Sequence, residues 1–160
     1  MAKSKEEKTN VMRTLEQKKI PYTAHTYDPA EPIDGVSVAQ TLGQLPERVF
    51  KTLVTKGASG AYYVFDIPVA ENLDLKKAAK AVGEKSVAML PQKELLPLTG
   101  YVHGGCSPVG MKKQFPTVFH ETVLLYDTVC VSAGRIGFQV ECRPGDLVAL
   151  LRAKTADIIV

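Results

Sequence analysis

Residues 48–69 read RVFKTLVTKGASGAYYVFDIPV, and the fold turns on them. Two runs, RVFKTLVTK and AYYVFDIPV, are dense in β-branched and aromatic residues and flank Gly57-Ala58-Ser59-Gly60. Small turn formers between two such runs predict an antiparallel hairpin. One residue is out of place in it. In a regular strand Val49, Lys51 and Leu53 share one face and Phe50, Thr52 and Val54 the other. A lysine therefore stands in line with apolar neighbours, and burying an unpaired ammonium is costly. Lys51 either lies at a sheet edge, with its amine reaching solvent, or points into a cleft that holds a carboxylate or an anionic ligand.

On the N-terminal side, Ser4 to Lys19 predicts a helix with a Ser4–Glu7 capping box and an apolar stripe of Val11, Met12 and Leu15, ended by Ile20-Pro21. YTAHTY (22–27) predicts a strand. Ser37 to Leu42 predicts a second helix, with Ser37 and Gln40 as a capping pair and Gly43 as its stop. On the C-terminal side, Asn72 or Asp74 starts a third helix. Leu75, Ala78, Ala79 and Val82 form its apolar face and Gly83 ends it. SVAML (86–90) predicts a strand and PQKELL (91–96) a helical turn. TVFHE, TVLLYD, TVCVSAG and RIGFQVE predict four more strands, PGDLVALL (144–151) a last helix and ADIIV (156–160) a last strand. Helices and hairpins mix without strict βαβ alternation, which points to a mixed sheet rather than a doubly wound parallel one. So many strands in a short chain favour a sheet that curls towards a barrel.

The 160 residues amount to a single domain, 1–160, and no linker, repeat or low-complexity tract divides them. With 45% hydrophobic and 23% charged residues the composition is that of a soluble globular chain. No apolar run is long enough to span a membrane, and the charged start MAKSKEEKTN does not read as a secretory leader. Three widely spaced cysteines make no disulfide framework and fit a reducing cytoplasm. A net charge of +3 permits a polyanionic partner without demanding one.

GYVHGGCSPVGMKK (100–113) is the second unusual stretch. It fails as a nucleophile elbow, because Gly105 to Gly110 is one residue too long for G-x-S-x-G and Pro108 removes an N–H beside the serine. It fails as a phosphate loop, because Met111 stands where the lysine belongs. A His103–Cys106 dyad would be an unusual local nucleophile and base, whereas Cys106 suits the role of a small buried filler. His103, Cys106, Cys130 and Cys142 lack the spacing of a metal site, so no metal or cofactor is expected. What remains is either an irregular turn or a concavity of glycine N–H groups suited to an anionic or carbonyl oxygen.

FKTLV with Lys51, LDLKKAAKAVG, TGYVHGGCSPVGMKK and the tail VSAGRIGFQVECRPGDLVALLRAKTADI together resemble the YbaK/EbsC family, along nearly the whole chain from Ile20 to Ile159. GG-x-SP-x-G downstream of FKTL is far more specific than either motif alone. The resemblance implies a mixed α/β, largely antiparallel sheet curling towards a barrel with helices outside. It implies an aminoacyl-tRNA deacylase, related to the editing domain of bacterial prolyl-tRNA synthetase, that hydrolyses Cys-tRNA(Pro) in trans with help from the substrate's own thiol. Editing of Ala-tRNA(Pro), a non-catalytic tRNA- or nucleotide-binding module and a small-molecule hydrolase using Cys106 are the alternatives. Carried onto this chain, the resemblance assigns catalysis to Lys51, Gly104 and Gly105. Substrate binding falls to Tyr27, Phe50, Ser107, Pro108, Gly110 and Ser132. Lys76, Lys77, Lys80, Lys112 and Lys113, with Lys85, form a basic rim for tRNA, and prolyl-tRNA synthetase is the implied partner. Cys106 occupies the variable position of the motif, where the family commonly has an apolar residue.

Overall fold

A computed structural model describes residues 8–30 and 34–160. The Ser4–Glu7 capping box lies outside them. Helix α1 (Asn10–Gln17) begins at Thr9, whose hydroxyl accepts from the Met12 N–H at 3.2 Å. Val11, Met12 and Leu15 are buried, as their spacing predicts. Strand β1 (Tyr22–Thr26) follows. Helix α2 (Gly35–Thr41) starts earlier than the Ser37 capping pair suggests. Asp34 is the cap, and it accepts from both the backbone N–H and the hydroxyl of Ser37.

Strands β2 (Phe50–Gly57) and β3 (Tyr62–Pro68) form the expected hairpin, in a register that sets Lys51 opposite Ile67 and Thr52 opposite Asp66. Helix α3 (Leu75–Val82) is capped by Asp74 and ends at left-handed Gly83. Strand β4 (Val87–Met89) returns against β2. Helix α4 (Gln92–Thr99) is longer than the predicted turn and carries Pro97 internally. An irregular loop spans 100–116. Beyond it lie β5 (Thr117–His120), β6 (Val129–Ser132), β7 (Phe138–Cys142), α5 (Pro144–Leu151) and β8 (Lys154–Ala156).

Two of the predicted strands differ. TVLLYD is not a strand: Glu121–Leu125 forms a 3₁₀ turn, with Leu124 and Leu125 exposed. Strand β5, which directly precedes it, already has β3 on one side and β8 on the other, so that run cannot pair with β5. The last strand lies earlier than ADIIV. Ile158 is buried, but its N–H goes to His120 Nδ1 at 3.3 Å, and Ile159 makes an isolated bridge to Leu73.

The strands form a five-stranded sheet, β4-β2-β3-β5-β8, and a three-stranded sheet, β1-β7-β6. Pairings are antiparallel except β3–β5 and β5–β8, so the sheet is mixed and largely antiparallel. The second sheet meets the first where Val49, just before β2, bridges Cys130 on β6. This curls the strands towards a barrel without closing one. The main apolar core, which includes Phe50, Val64, Phe119, Val131, Val140 and Leu147, fills the space between the sheets. A smaller cluster under α3 includes Phe65, Ile67, Ala78 and Ile158. The functional face lies at the junction of the sheets, where the start of β2, the end of β6 and the 100–116 loop come together.

Candidate active site

At that junction is a cavity of about 350 Å³, within the size range of small-ligand sites. Lys51, Gly104, Tyr27, Phe50 and Ser132 all line it. These five come from β2, the glycine loop, the end of β1 and β6, and only the fold unites them. Of the two readings of Lys51, the structure shows the cleft. Its side chain is half-buried, and burial lowers its pKa against an opposing attraction from Glu71. Among the described residues it has no ion pair within 4 Å. A cation that has lost much of its water and has no paired anion is well placed to receive a polar or anionic ligand.

The glycine loop is held from below. The Tyr101 hydroxyl donates to the Val109 carbonyl at 2.6 Å, and the buried Ser107 hydroxyl accepts from the Val109 N–H at 3.2 Å. Gly105 donates its N–H to the Val102 carbonyl at 3.0 Å. A Cβ on Gly105 would meet the Ile136 backbone nitrogen at 3.0 Å, so this position accommodates close packing of two backbone segments. Gly104 has φ +90°, where glycine is favoured. The N–H groups of Gly104 and Cys106, both cavity-lining residues, have no partner among the described residues. The amide of Cys106 is thus a candidate donor that sequence reading missed, while Gly105's is already committed. Ser107, Pro108 and Gly110 are not in the cavity lining.

The Ser132 hydroxyl accepts from the Gly134 N–H at 3.2 Å, leaving its own proton for the cavity. Val36, Val69, Leu95 and Phe138 complete an apolar wall that the sequence did not signal, since each comes from a different segment. Gln139, also at the cavity, is buried and pairs its amide reciprocally with Gln44 at 2.6 and 3.1 Å.

Cys106 lines the cavity, but burial pushes its thiol up to about 12, with a smaller contribution from Asp66. At neutral pH it is a thiol, a poor nucleophile. Cys106→Ala is therefore expected to keep turnover within about threefold of wild type, because only packing changes. Complete loss of turnover in a variant with unchanged circular dichroism would show that the thiol takes part in the chemistry.

His103 and Cys106 lie on the loop, whereas Cys130 and Cys142 lie on β6 and β7, and the four do not form one cluster. The metal-ligating atoms that do converge among the described residues belong to His25, Cys130 and Glu141, within 4.8 Å of one another. Of these, His25 and Glu141 belong to a polar network. His25 Nε2 is 2.8 Å from one Glu141 oxygen, while the other is 3.4 Å from Arg48 and accepts from Thr128. The Thr128 and His25 contacts hold the Glu141 carboxyl below its usual range, and burial pushes the Cys130 thiol up to about 12.

None of the lysines of the expected rim lines the cavity. Lys77 reaches Asp157 at 3.0 Å and the Ile159 carbonyl at 2.9 Å, fastening the C-terminal segment to α3. Lys112 donates to the Pro97 carbonyl at 3.2 Å. Lys76, Lys80, Lys85 and Lys113 are exposed.

Comparison with known proteins places the chain's sequence and fold. A protein of Enterococcus faecalis provisionally named Cys-tRNA(Pro)/Cys-tRNA(Cys) deacylase EbsC is 47% identical over 160 residues, 99% of this chain and 98% of that one. A crystal structure provisionally described as a trans-editing enzyme for prolyl tRNA synthetase is 29% identical, with a TM-score of 0.81 over 94% of each chain. The hypothetical protein APE2540, at 23% identity, shares the fold with a TM-score of 0.87, over 95% of this chain and all of that one. The sequence profile of the aminoacyl-tRNA editing domain matches residues 31–150, a span that holds Lys51, the glycine loop and Ser132, and the chain belongs to that family.

Proposed function

We propose that this editing domain removes cysteine from misacylated tRNA, Cys-tRNA(Pro) foremost, acting in trans. The observation that carries the reading is that Lys51 and Gly104, whose N–H has no partner among the described residues, line one cavity of about 350 Å³. That cavity takes an aminoacyl group at the tRNA 3′ end. The Gly104 and Cys106 amides supply hydrogen bonds to the ester carbonyl oxygen as it gains charge. Lys51 adds a cation beside the same charge or beside the terminal ribose and phosphate.

The nucleophile belongs to the substrate. The cysteine sulfur attacks its own carbonyl carbon. A C–S bond forms as the ester C–O bond breaks, and the thiol's proton ends on the departing ribose oxygen. The product is a four-membered thiolactone, which water then opens to free cysteine. The cavity's part is to hold sulfur and carbonyl in attacking geometry, and orientation of this kind contributes about 7–11 kcal/mol in well-aligned intramolecular reactions. Tyr27, Phe50 and Ser132 shape the aminoacyl site. Ser107, Pro108 and Gly110 act through the loop's conformation, as does Gly105, whose N–H is already bonded.

The deciding experiment compares deacylation of Cys-, Ser-, Ala- and Pro-tRNA(Pro). Cysteine is expected to be removed at least about a hundredfold faster than serine, since the hydroxyl is the weaker internal nucleophile. Equal rates on Ala-tRNA(Pro) would replace the thiol mechanism by attack of water. Cys-tRNA(Cys) belongs in the same assay. A cavity that holds only the 3′ end cannot tell one tRNA from another, so rates on the two cysteinyl-tRNAs are expected to be similar until prolyl-tRNA synthetase is added.

The tRNA body is held by charge. Lys76, Lys80 and Lys113 are exposed and make no ion pair among the described residues, whereas Lys77 and Lys112 are already bonded within the protein. The triple variant K76Q/K80Q/K113Q is expected to weaken tRNA binding. Its dependence on salt should flatten by roughly 0.7–0.9 for each phosphate that is no longer neutralised. An unchanged salt slope would remove these lysines from the interface.

A further inference from the structure

Bonded to Thr52, one of the cavity's lining residues, is a carboxyl that the proposed chemistry does not use. Asp66 is fully buried on β3, opposite Thr52 in the β2–β3 register and beside Phe119 in the parallel β3–β5 register. The Thr52 hydroxyl donates to Asp66 Oδ1 at 2.6 Å. Oδ2 has no hydrogen-bond partner among the described residues. Thr52 and Cys106 both line the cavity. Buried side-chain carboxyls are nearly always fully bonded, so an acid held here with one oxygen idle calls for a role.

We infer that Asp66 is a positioning residue for Thr52: it takes the hydroxyl's proton, so that the hydroxyl presents its lone pairs to the cavity as an acceptor for the α-ammonium of the aminoacyl group. A threonine hydroxyl otherwise rotates to donate or accept as its surroundings demand. While its proton goes to Asp66 Oδ1, the Thr52 oxygen is left to accept from the cavity. Of the other polar groups proposed for the site, the Lys51 ammonium and the two loop amides can only donate, and the Ser132 oxygen already accepts from the Gly134 N–H. An aminoacyl ester carries, next to its carbonyl, an ammonium that only donates, and pure donors cannot receive it. Asp34, the acid that does line the cavity, is exposed and has both oxygens bonded to Ser37. The Asp66–Thr52 pair thus supplies the acceptor that the cavity needs to distinguish an aminoacyl ester from a plain acyl ester.

This assignment rests on the proposed substrate class, and its test does not require turnover. The probes are the amide-linked analogue of 3′-cysteinyl-adenosine and its counterpart without the α-amino group. Their affinities are measured by calorimetry at about pH 6.5, where the amine is charged. Wild type is expected to prefer the ammonium-bearing analogue by at least about tenfold, the scale of a hydrogen bond to a charged group. Thr52→Val and Asp66→Val are expected to reduce that preference to about threefold or less. Asp66→Asn, which keeps an acceptor for the hydroxyl, retains it, and the Thr52→Val/Asp66→Val double variant loses no more than Thr52→Val alone. A wild-type preference near one, or a preference that survives Thr52→Val or Asp66→Val, overturns the inference. Should Asp66→Val not fold, wild type alone decides by NMR. A slowly exchanging Thr52 hydroxyl proton supports the pair, and its absence refutes it. Failure to deacylate any ester would sink the functional reading, a result separate from the binding ratio.

Discussion

Lys51→Ala is expected to lower the deacylation rate on Cys-tRNA by about 10²–10³, the scale seen when one group that stabilises a developing oxyanion is removed. Folding stability should not fall with it. Lys51 makes no ion pair among the described residues, so its loss orphans no partner there, and its half-buried ammonium gives up hydration in the folded state. Alanine is therefore expected to match or slightly exceed the wild-type melting temperature while turnover collapses. Lys51→Arg should not restore the rate. A planar guanidinium is wider than an ammonium and reaches the cavity through a different fork of donors. Single-turnover kinetics on intact Cys-tRNA, with thermal melts of the same preparations, test both halves. A rate within about threefold of wild type would take Lys51 out of the mechanism, and a large drop in melting temperature would make it a structural residue.

Lys51 was legible in the sequence because it breaks a local rule: a charge in line with Val49 and Leu53. The glycine loop was legible for a similar reason, since it carries more glycines than one turn needs. Their meeting in one cavity left no local mark, since it depends on tertiary packing, and only the resemblance to the YbaK/EbsC family put them in one site. The apolar wall was invisible for the same reason. Val36, Leu95 and Phe138 are unremarkable where they stand and acquire a role only through tertiary packing. The hairpin read correctly because composition and turn chemistry agree over 48–69. TVLLYD misled because a short apolar run has no decisive period, and both sides of the preceding β5 are already paired. The parallel pairing of β3 with β5 and of β5 with β8 leaves no local trace, since no βαβ alternation announces it. Asp66 did leave a trace. It is an acid within the buried run Val64 to Val69, breaking its pattern as plainly as Lys51 breaks the facing strand.

The same acid sets the second large effect, on stability. Burial pushes the Asp66 carboxyl up to about 8, against a lowering contribution from the Thr52 hydrogen bond. In the unfolded chain an aspartate titrates near about 4. Between these values the folded state holds a proton that the unfolded state has released, so unfolding free energy declines as pH rises. The contribution is complete below about pH 4 and exhausted above about pH 8. Within that window its slope is about 1 kcal/mol per pH unit. Glu16, Glu84, Glu141, Asp34 and Asp157 act in the opposite sense, because hydrogen bonds and ion pairs hold their carboxyls below the usual range. They add stability as pH rises, but only through the acid range where carboxylates ordinarily titrate. The Cys106 thiol, coupled to Asp66, does not ionise until well above the window. Subtracting one protein from another isolates the effect. Asp66→Asn cannot ionise and keeps the acceptor for Thr52, so its stability relative to wild type should climb steadily from about pH 5 to about pH 8 and level off beyond. Urea unfolding of both proteins across that range measures the difference directly. Parallel curves would mean that Asp66 is ionised in the folded protein at every pH, and that water or a cation reaches the oxygen that has no partner here.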